Sequence, residues 1–561
     1  MSGFVMAQNT AERIKNDIEK LEKLREKHDS YSDTLYYFIY NKLSNSNLPA
    51  DERALWHCYM SKFLAHYLQM NYFKIIDRTE VASDENLEFS TWGIQKISSE
   101  MIGHALKSLE NKEFLQKKDI KGYLTLMSKY NESRLKREDI DSFVVYRPTL
   151  YDCLAQEAIS LFEGDISDQL PLPAIAFSID DKAFFAADRE FAALKIETPD
   201  TLSLDYHVMR IYQELTKFHL NSGYKLARLK VALQRLDFVK AHSALDNCNE
   251  LYFNSLLGLE KEFGKKDGYA EICYQIGEFY NRHPKNDRVD DENRDDLRNA
   301  AEWYSKAVAF APKSVAGINA GIKLDNLKSQ SIVIRMPGSV TSQNNLISYE
   351  YKNCNSIYCR ILPLSSSEYS KLYRSADYND RQLYSKLVQL KYLKEWKHNL
   401  TNPGDYYSHI VDGILPALEP GEYTIIASES DFSAPQPAGF THKTFRVSNI
   451  GALDKYNSDN YEEILFYNLV TGEPYQNRKV DVEFKKYVNE PGEKKKLTTD
   501  ANGIVRIPKL SNYYYVNVEL RDGKDVYNDS HYYSHYYNGR YNNTVAHIYT
   551  DRAIYRPGQK I

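Results

Sequence analysis

Two histidines, His531 and His535, stand four residues apart within a tyrosine-rich stretch from Tyr527 to Tyr541. On a helix that spacing would put both imidazoles on one face and suit a metal ion. The surrounding residues read as strand or loop, where positions i and i+4 lie far apart along one face. Asp529 is close, but no carboxylate follows at a ligand spacing, so the stretch is expected to be an exposed linker and no metal is assigned. Cys153-Leu-Ala-Gln156 has the Cys-x-x-Gln spacing of an internal thioester, without the Glu expected at its third position. It lies in helix-patterned sequence, and the expected state is a buried, inert thiol. Cys354 and Cys359 flank a turn signal and are expected as free thiols, because opposite strand parity argues against a shared face. The acidic run Asp287–Asp296 lacks the Gly and terminal Glu of a calcium loop and reads as solvated. Lys494–Lys496 is too short a basic run to hold nucleic acid. No GxSxG, HExxH, phosphate-loop or dinucleotide fingerprint occurs. No catalytic residue and no cofactor is therefore expected.

Composition agrees with a folded, multidomain chain. It has 561 residues, 42% hydrophobic and 27% charged, with a net charge of −5. That excludes collagen-like and wholly disordered classes, and the near balance of 72 basic and 77 acidic residues gives no push toward nucleic acid. Six cysteines without a CxxC rule out a disulfide-built scaffold. No run of 18 apolar residues is present, so no transmembrane segment is expected.

The elements that must position any site fall into an α part and a β part. The chain opens Met1-Ser-Gly-Phe-Val-Met-Ala-Gln8, where Val5-x-Ala7 resembles a signal-peptide cleavage pattern without its charged and apolar regions. Residues 1–9 are assigned to a signal remnant or a disordered end. Residues 10–328 read as helices, beginning with Ile14, Ile18, Leu21 and Leu24 at helical spacing behind Thr10 as N-cap. Leu170 to Phe177, with Pro171 and Pro173, reads as a linker. Gly277 and Tyr280, then Ala300, Tyr304, Ala307 and Pro312, match the small-and-aromatic spacing of a tetratricopeptide hairpin; a generic helical bundle is the plainer alternative.

After Lys328 the period becomes two. Ile332, Ile334 and Met336 alternate, Pro337-Gly338 turns, and a helical interruption is expected over Asp380–Lys397. Residues 329–448 make one β-sandwich and 449–543 a second, with Asp500-Ala-Asn-Gly503 as a turn. Residues 544–561 read as the first strand of a further, truncated domain.

Thr550-Asp-Arg-Ala-Ile-Tyr-Arg-Pro-Gly-Gln559 closely resembles the TDRxxYRPGQ signature that opens a macroglobulin-like domain in bacterial alpha-2-macroglobulin family proteins. Leu415-Pro-Ala-Leu-Glu-Pro-Gly-Glu-Tyr423 resembles the LPxLxPGxY segment of a preceding sandwich, and Thr471-Gly-Glu-Pro474 with Thr499-Asp-Ala-Asn-Gly503 resembles the next. Within the signature, Asp551, Arg552, Tyr555, Arg556, Pro557 and Gly558 are expected to serve the fold, not catalysis. The resemblance implies a multidomain α-then-β chain: a tetratricopeptide-like region followed by macroglobulin-like antiparallel β-sandwiches. It implies the N-terminal scaffold of a protease trap, exported to the periplasm or cell envelope, with proteases as partners. The bait region and the thioester of the family lie downstream of the signature, so this chain is expected to lack both. The competing reading is an envelope adhesion or assembly module that binds a partner protein through its helices.

Overall fold

The computed structural model describes residues 2–25, 31–76, 78, 88–127, 143–164, 175–282, 295–433, 438–455, 461–488, 490–510 and 513–532. The chain divides into two compact units, Met1–Leu327 and Lys328–Ile561.

The first unit is helical. Its helices are α1 (Ser2–Arg25), α2 (Tyr31–Ser44), α3 (Ala50–Ile75), α4 (Ile94–Lys107), α5 (Lys112–Leu115), α6 (Leu124–Met127), a short α7 at 143–146, α8 (Leu150–Phe162), α9 (Asp188–Ala193), α10 (Leu204–Ser222), α11 (Lys225–His242), α12 (Cys248–Phe263), α13 (Tyr269–Asn281), α14 (Asp296–Phe310) and α15 (Val315–Lys328). Residues 2–9 are the first turns of α1. Ala7 and Ala11 are buried there, and a Cβ on Gly122 would come within 2.6 Å of the Ala7 Cβ. Thr10 is accordingly a buried residue inside α1, not its N-cap. Most of the Leu170–Phe177 linker lies outside the described residues, as does most of the acidic run from Asp287.

The tetratricopeptide-like spacing has a direct physical basis. Gly277 on α13 faces Tyr304 on α14, and a Cβ added there would lie 2.6 Å from the ring. Only the missing side chain lets the fully buried Tyr304 seat between the helices. Its hydroxyl donates to Glu278 Oε1 at 2.5 Å.

The second unit is β. Its first sandwich pairs a sheet ordered β1-β3-β6 with one ordered β2-β8-β7-β4-β5. The strands are β1 (Ser331–Arg335), β2 (Ser339–Val340), β3 (Asn345–Lys352), β4 (Ser356–Leu362), β5 (Lys394–Asn399), β6 (His409–Leu415), β7 (Gly421–Ser428) and β8 (Thr441–Val447). Every pairing is antiparallel except β2 with β8. Period-two alternation sends Ile357, Cys359 and Ile361 into the core between the sheets. The helical interruption differs from expectation. Two helices, α16 (Ser366–Arg374) and α17 (Asp380–Leu387), stand between β4 and β5, and Lys394–Lys397 is strand. Leu383, Tyr384 and Leu387 pack on Leu362 and Ile426, on the other face of the five-stranded sheet. This second covering buries β7 on both faces, from Tyr423 to Ser428.

The second sandwich has sheets ordered β13-β10-β9 and β12-β11-β14-β15. Its strands are β9 (Ile450–Lys455), β10 (Tyr461–Asn468), β11 (Lys479–Lys485), β12 (Glu493–Thr498), β13 (Ile504–Pro508), β14 (Tyr515–Asp522) and β15 (Asp525–Tyr532). Its core includes Ile464, Phe466, Val480, Val482, Phe484, Val516 and Val518. Asn449 joins the two sandwiches: its amide donates to Ser342 Oγ at 2.9 Å and its backbone N–H to Asp525 Oδ2 at 2.7 Å. Among the described residues, no helix is long and apolar enough to cross a membrane.

Candidate functional site

A cavity of about 340 Å³ opens in the helical unit, where α7, α11, α13 and α15 converge. Helical spacing arranges its wall. Leu229, Lys230 and Leu233 come from α11, and Glu271, Tyr274 and Gln275 from α13, each at i, i+3 or i+4 intervals that share a face. Phe143, Tyr146 and Arg147 close one side. The Tyr146 hydroxyl donates to Glu271 Oε1, which orients that carboxylate. Gln275 donates to both Asp237 oxygens at 2.8 and 2.9 Å, and Asp237 also accepts from Tyr252 at 2.6 Å. The Arg147 guanidinium lies over the Phe143 ring at 5.0 Å. Neither Arg147 nor Lys230 makes an ion pair with another described residue. Burial, and next Arg147, hold the Lys230 ammonium below its ordinary value. Two half-buried cations over an apolar, tyrosine-edged floor suit a carboxylate-bearing ligand.

The residues singled out in the sequence fall elsewhere. Cys153 is buried on α8, and burial pushes its thiol up, so it is an inert thiol in a helix and not a thioester cysteine. Its neighbour Asp152 does more. Asp152 completes a capping box with Thr149 at the start of α8 and accepts from His219 Nε2 of α10 at 2.7 Å. His219 Nδ1 lies 3.0 Å from Ser222 Oγ. The Asp152–His219–Ser222 chain has the connectivity of an acid–base relay. The His219 ring is fully enclosed, with no path to a substrate, so the chain ties α10 to α8. Sequence spacing gave no hint of this tie, since its members are 67 residues apart.

Cys354 and Cys359 are free and buried, and Cys359 Sγ lies 3.4 Å from the Tyr349 hydroxyl. His531 is not in an exposed linker. It is the penultimate residue of β15, with its side chain 12% exposed, beside Glu462 and Asp454. These carboxylates come from β10 and β9, which is why a search for ligands next to His531 in sequence missed them. His535, and the signature residues Asp551, Arg552, Tyr555, Arg556, Pro557 and Gly558, lie outside the described residues.

The two upstream motifs can be located. Pro420-Gly421 leads into β7, and the Tyr423 hydroxyl donates back to the Glu419 carbonyl at 2.8 Å, bracing that entry. Thr471-Gly472 turns with φ +76° at Gly472. Asp500 Oδ1 accepts from the Asn502 and Ile504 amides at 2.8 and 3.0 Å, and Gly503 takes φ +78°.

No protein-family model and no curated protein matches the chain. Among solved structures it is similar to native alpha-2-macroglobulin from Escherichia coli spanning domains NIE-MG1, at 15% identity and a TM-score of 0.25, over 36% of this chain and 95% of that one. A longer fragment of the same protein, spanning MG0-NIE-MG1, matches with the same identity and TM-score and is covered over 63% of its length. The N-terminal part of the bacterial S-layer protein SbsC matches at 10% identity and a TM-score of 0.16, over 85% of this chain and 99% of that one. TM-scores this low do not establish a shared fold.

Proposed function

We propose that the chain is the N-terminal scaffold of a bacterial alpha-2-macroglobulin-like protease inhibitor of the cell envelope, and that it is not itself an enzyme. The observation that carries this reading is the order of the three motifs. Leu415–Tyr423 and Thr471–Gly503 supply turns of two successive antiparallel sandwiches, and Thr550–Gln559 follows them. In the first, Tyr423 bonds backbone at the entry to β7; in the second, Gly472 and Gly503 take positive φ and Asp500 bonds backbone at the turn. Proteases are the proposed partners of the whole inhibitor. The only Cys-x-x-Gln in this chain is the buried one at Cys153, so capture is assigned to other parts of such an inhibitor. Incubating the purified chain with active proteases, followed by denaturing electrophoresis, tests this. The expected result is no covalent adduct; a heat-stable protease adduct on the isolated chain would contradict it.

The helical cavity favours a second reading, an assembly module that grips an acidic peptide segment of an envelope protein. Its basis is the pair Arg147 and Lys230, half-buried and without an ion-pair partner among the described residues. Binding of a fluorescent acidic peptide that falls at least tenfold in the Arg147→Gln and Lys230→Gln variants would support it. Equal binding by wild type and variants would end it.

A further inference from the structure

We propose that Asp454, Glu462 and His531 form a divalent transition-metal site, with Zn²⁺ as the best-fitting ion, at the open edge of the second sandwich. This goes beyond the scaffold reading and does not depend on it.

Three strands bring the donors together. Along β10 the residues 462, 464 and 466 are buried, so Glu462 occupies a core-facing position in series with Ile464 and Phe466. Asp454 on β9 pairs across from Ile464, which puts its carboxylate diagonal to Glu462 on the same face. His531 on β15 pairs with the core residue Val516 and approaches from the other sheet. Strands β9 and β15 are both sheet edges, so the cluster closes one side of the sandwich.

The geometry leaves room for an ion between the three donors. His531 Nδ1 lies 3.3 Å from Glu462 Oε1 and 3.6 Å from Asp454 Oδ2, and one donor atom from each residue lies within 4.8 Å of the others. A charge-assisted N–H···O bond closes to about 2.7–2.9 Å. Donors bound to one ion at about 2.0–2.2 Å stand roughly 3.0–3.5 Å apart; the His531–Glu462 spacing lies in that range, and Asp454, the exposed member, would close in by a side-chain adjustment. The charges also fit. Two carboxylates face one imidazole, Glu462 is only 2% exposed, and Asp529 adds further negative charge nearby. An excess of carboxylates around one imidazole favours a bound cation. His531 Nε2 is buried and makes no hydrogen bond, so the Nδ1 side of the ring carries its polar contacts. An imidazole with two carboxylates selects a borderline ion such as Zn²⁺ or Mn²⁺; Ca²⁺ takes six to eight oxygens, about twice what this set offers.

The test titrates ZnCl₂ into the purified, EDTA-treated full chain by calorimetry, with thermal unfolding alongside. Wild type should bind one saturable Zn²⁺ at this site and unfold at a higher temperature with Zn²⁺ present, reversibly on EDTA. Glu462→Gln and His531→Asn should lose that binding event. If either fails to fold, Asp454→Asn, at the most exposed donor, should still fold and weaken binding by about tenfold or more. No saturable Zn²⁺ or Mn²⁺ binding by wild type would overturn the proposal, as would binding that all three variants leave unchanged.

Discussion

At Gly503 a positive φ and a crowded backbone coincide: a Cβ there would sit 2.6 Å from the Phe466 carbonyl oxygen. Gly503→Ala should therefore destabilise the β unit by about 1–2 kcal/mol or more in urea unfolding, since the left-handed backbone alone costs an L-residue that much. Asp152→Asn should be worse for the helical unit. It disturbs both a cap and a buried hydrogen-bond partner of His219, and an unsatisfied buried polar group costs about 1–3 kcal/mol on top of the lost cap. A third residue-scale effect is a pH dependence. His57 Nδ1 and His104 Nδ1 meet at 2.8 Å, and burial, with the neighbouring ring next for His57, holds both imidazoles well below their ordinary value. The unfolded chain then takes up protons that the fold refuses. Stability should fall as pH drops below about 6.5, and go on falling toward the lowered folded values. The urea midpoint measured from pH 7.5 down to 5 should show that slope, and the His57→Leu/His104→Leu double variant should flatten it. At this scale the turn at Asp500–Gly503 was legible in sequence, because its chemistry is local. The contacts of His219, His57 and His531 were not, because each joins strands or helices whose separation in sequence carries no spacing rule.

At the scale of elements, the α13–α14 hairpin was readable because close helix packing demands a small residue opposite a large one. Gly277 and Tyr304 are that pair. Tyr304→Ala should cost about 3–5 kcal/mol by leaving a cavity and removing one hydrogen bond to Glu278, which keeps its Lys323 partner, read as a lower urea midpoint for the helical unit. The helices α16 and α17 were only half legible. Asp380–Leu387 has a helical pattern and Asn379 as its cap, but the sequence alone did not separate it from the following strand. The signal for their covering lies in β7, whose Tyr423–Ala427 run is buried on both faces and broken only by Thr424. At the start of α1 the small residues Ala7 and Ala11 pack the helix closely, a role that sequence pattern does not separate from a cleavage site.

For the whole molecule, the change from helical to alternating period near Lys328 coincides with the division into two compact units. Separate cores make separate folding expected. Residues 1–327 and 328–561 expressed apart should each unfold cooperatively, with helical and β-type circular dichroism respectively; a helical piece that stays unfolded alone would contradict this. What most directly tests the scaffold reading is the native size of the protein in its own envelope. An antibody against residues 10–327 should detect, in periplasmic and membrane fractions, a species several times larger than 65.2 kDa that comigrates with added protease. A single band at 65.2 kDa that never associates with protease would contradict the inhibitor reading and leave the peptide-binding module in its place.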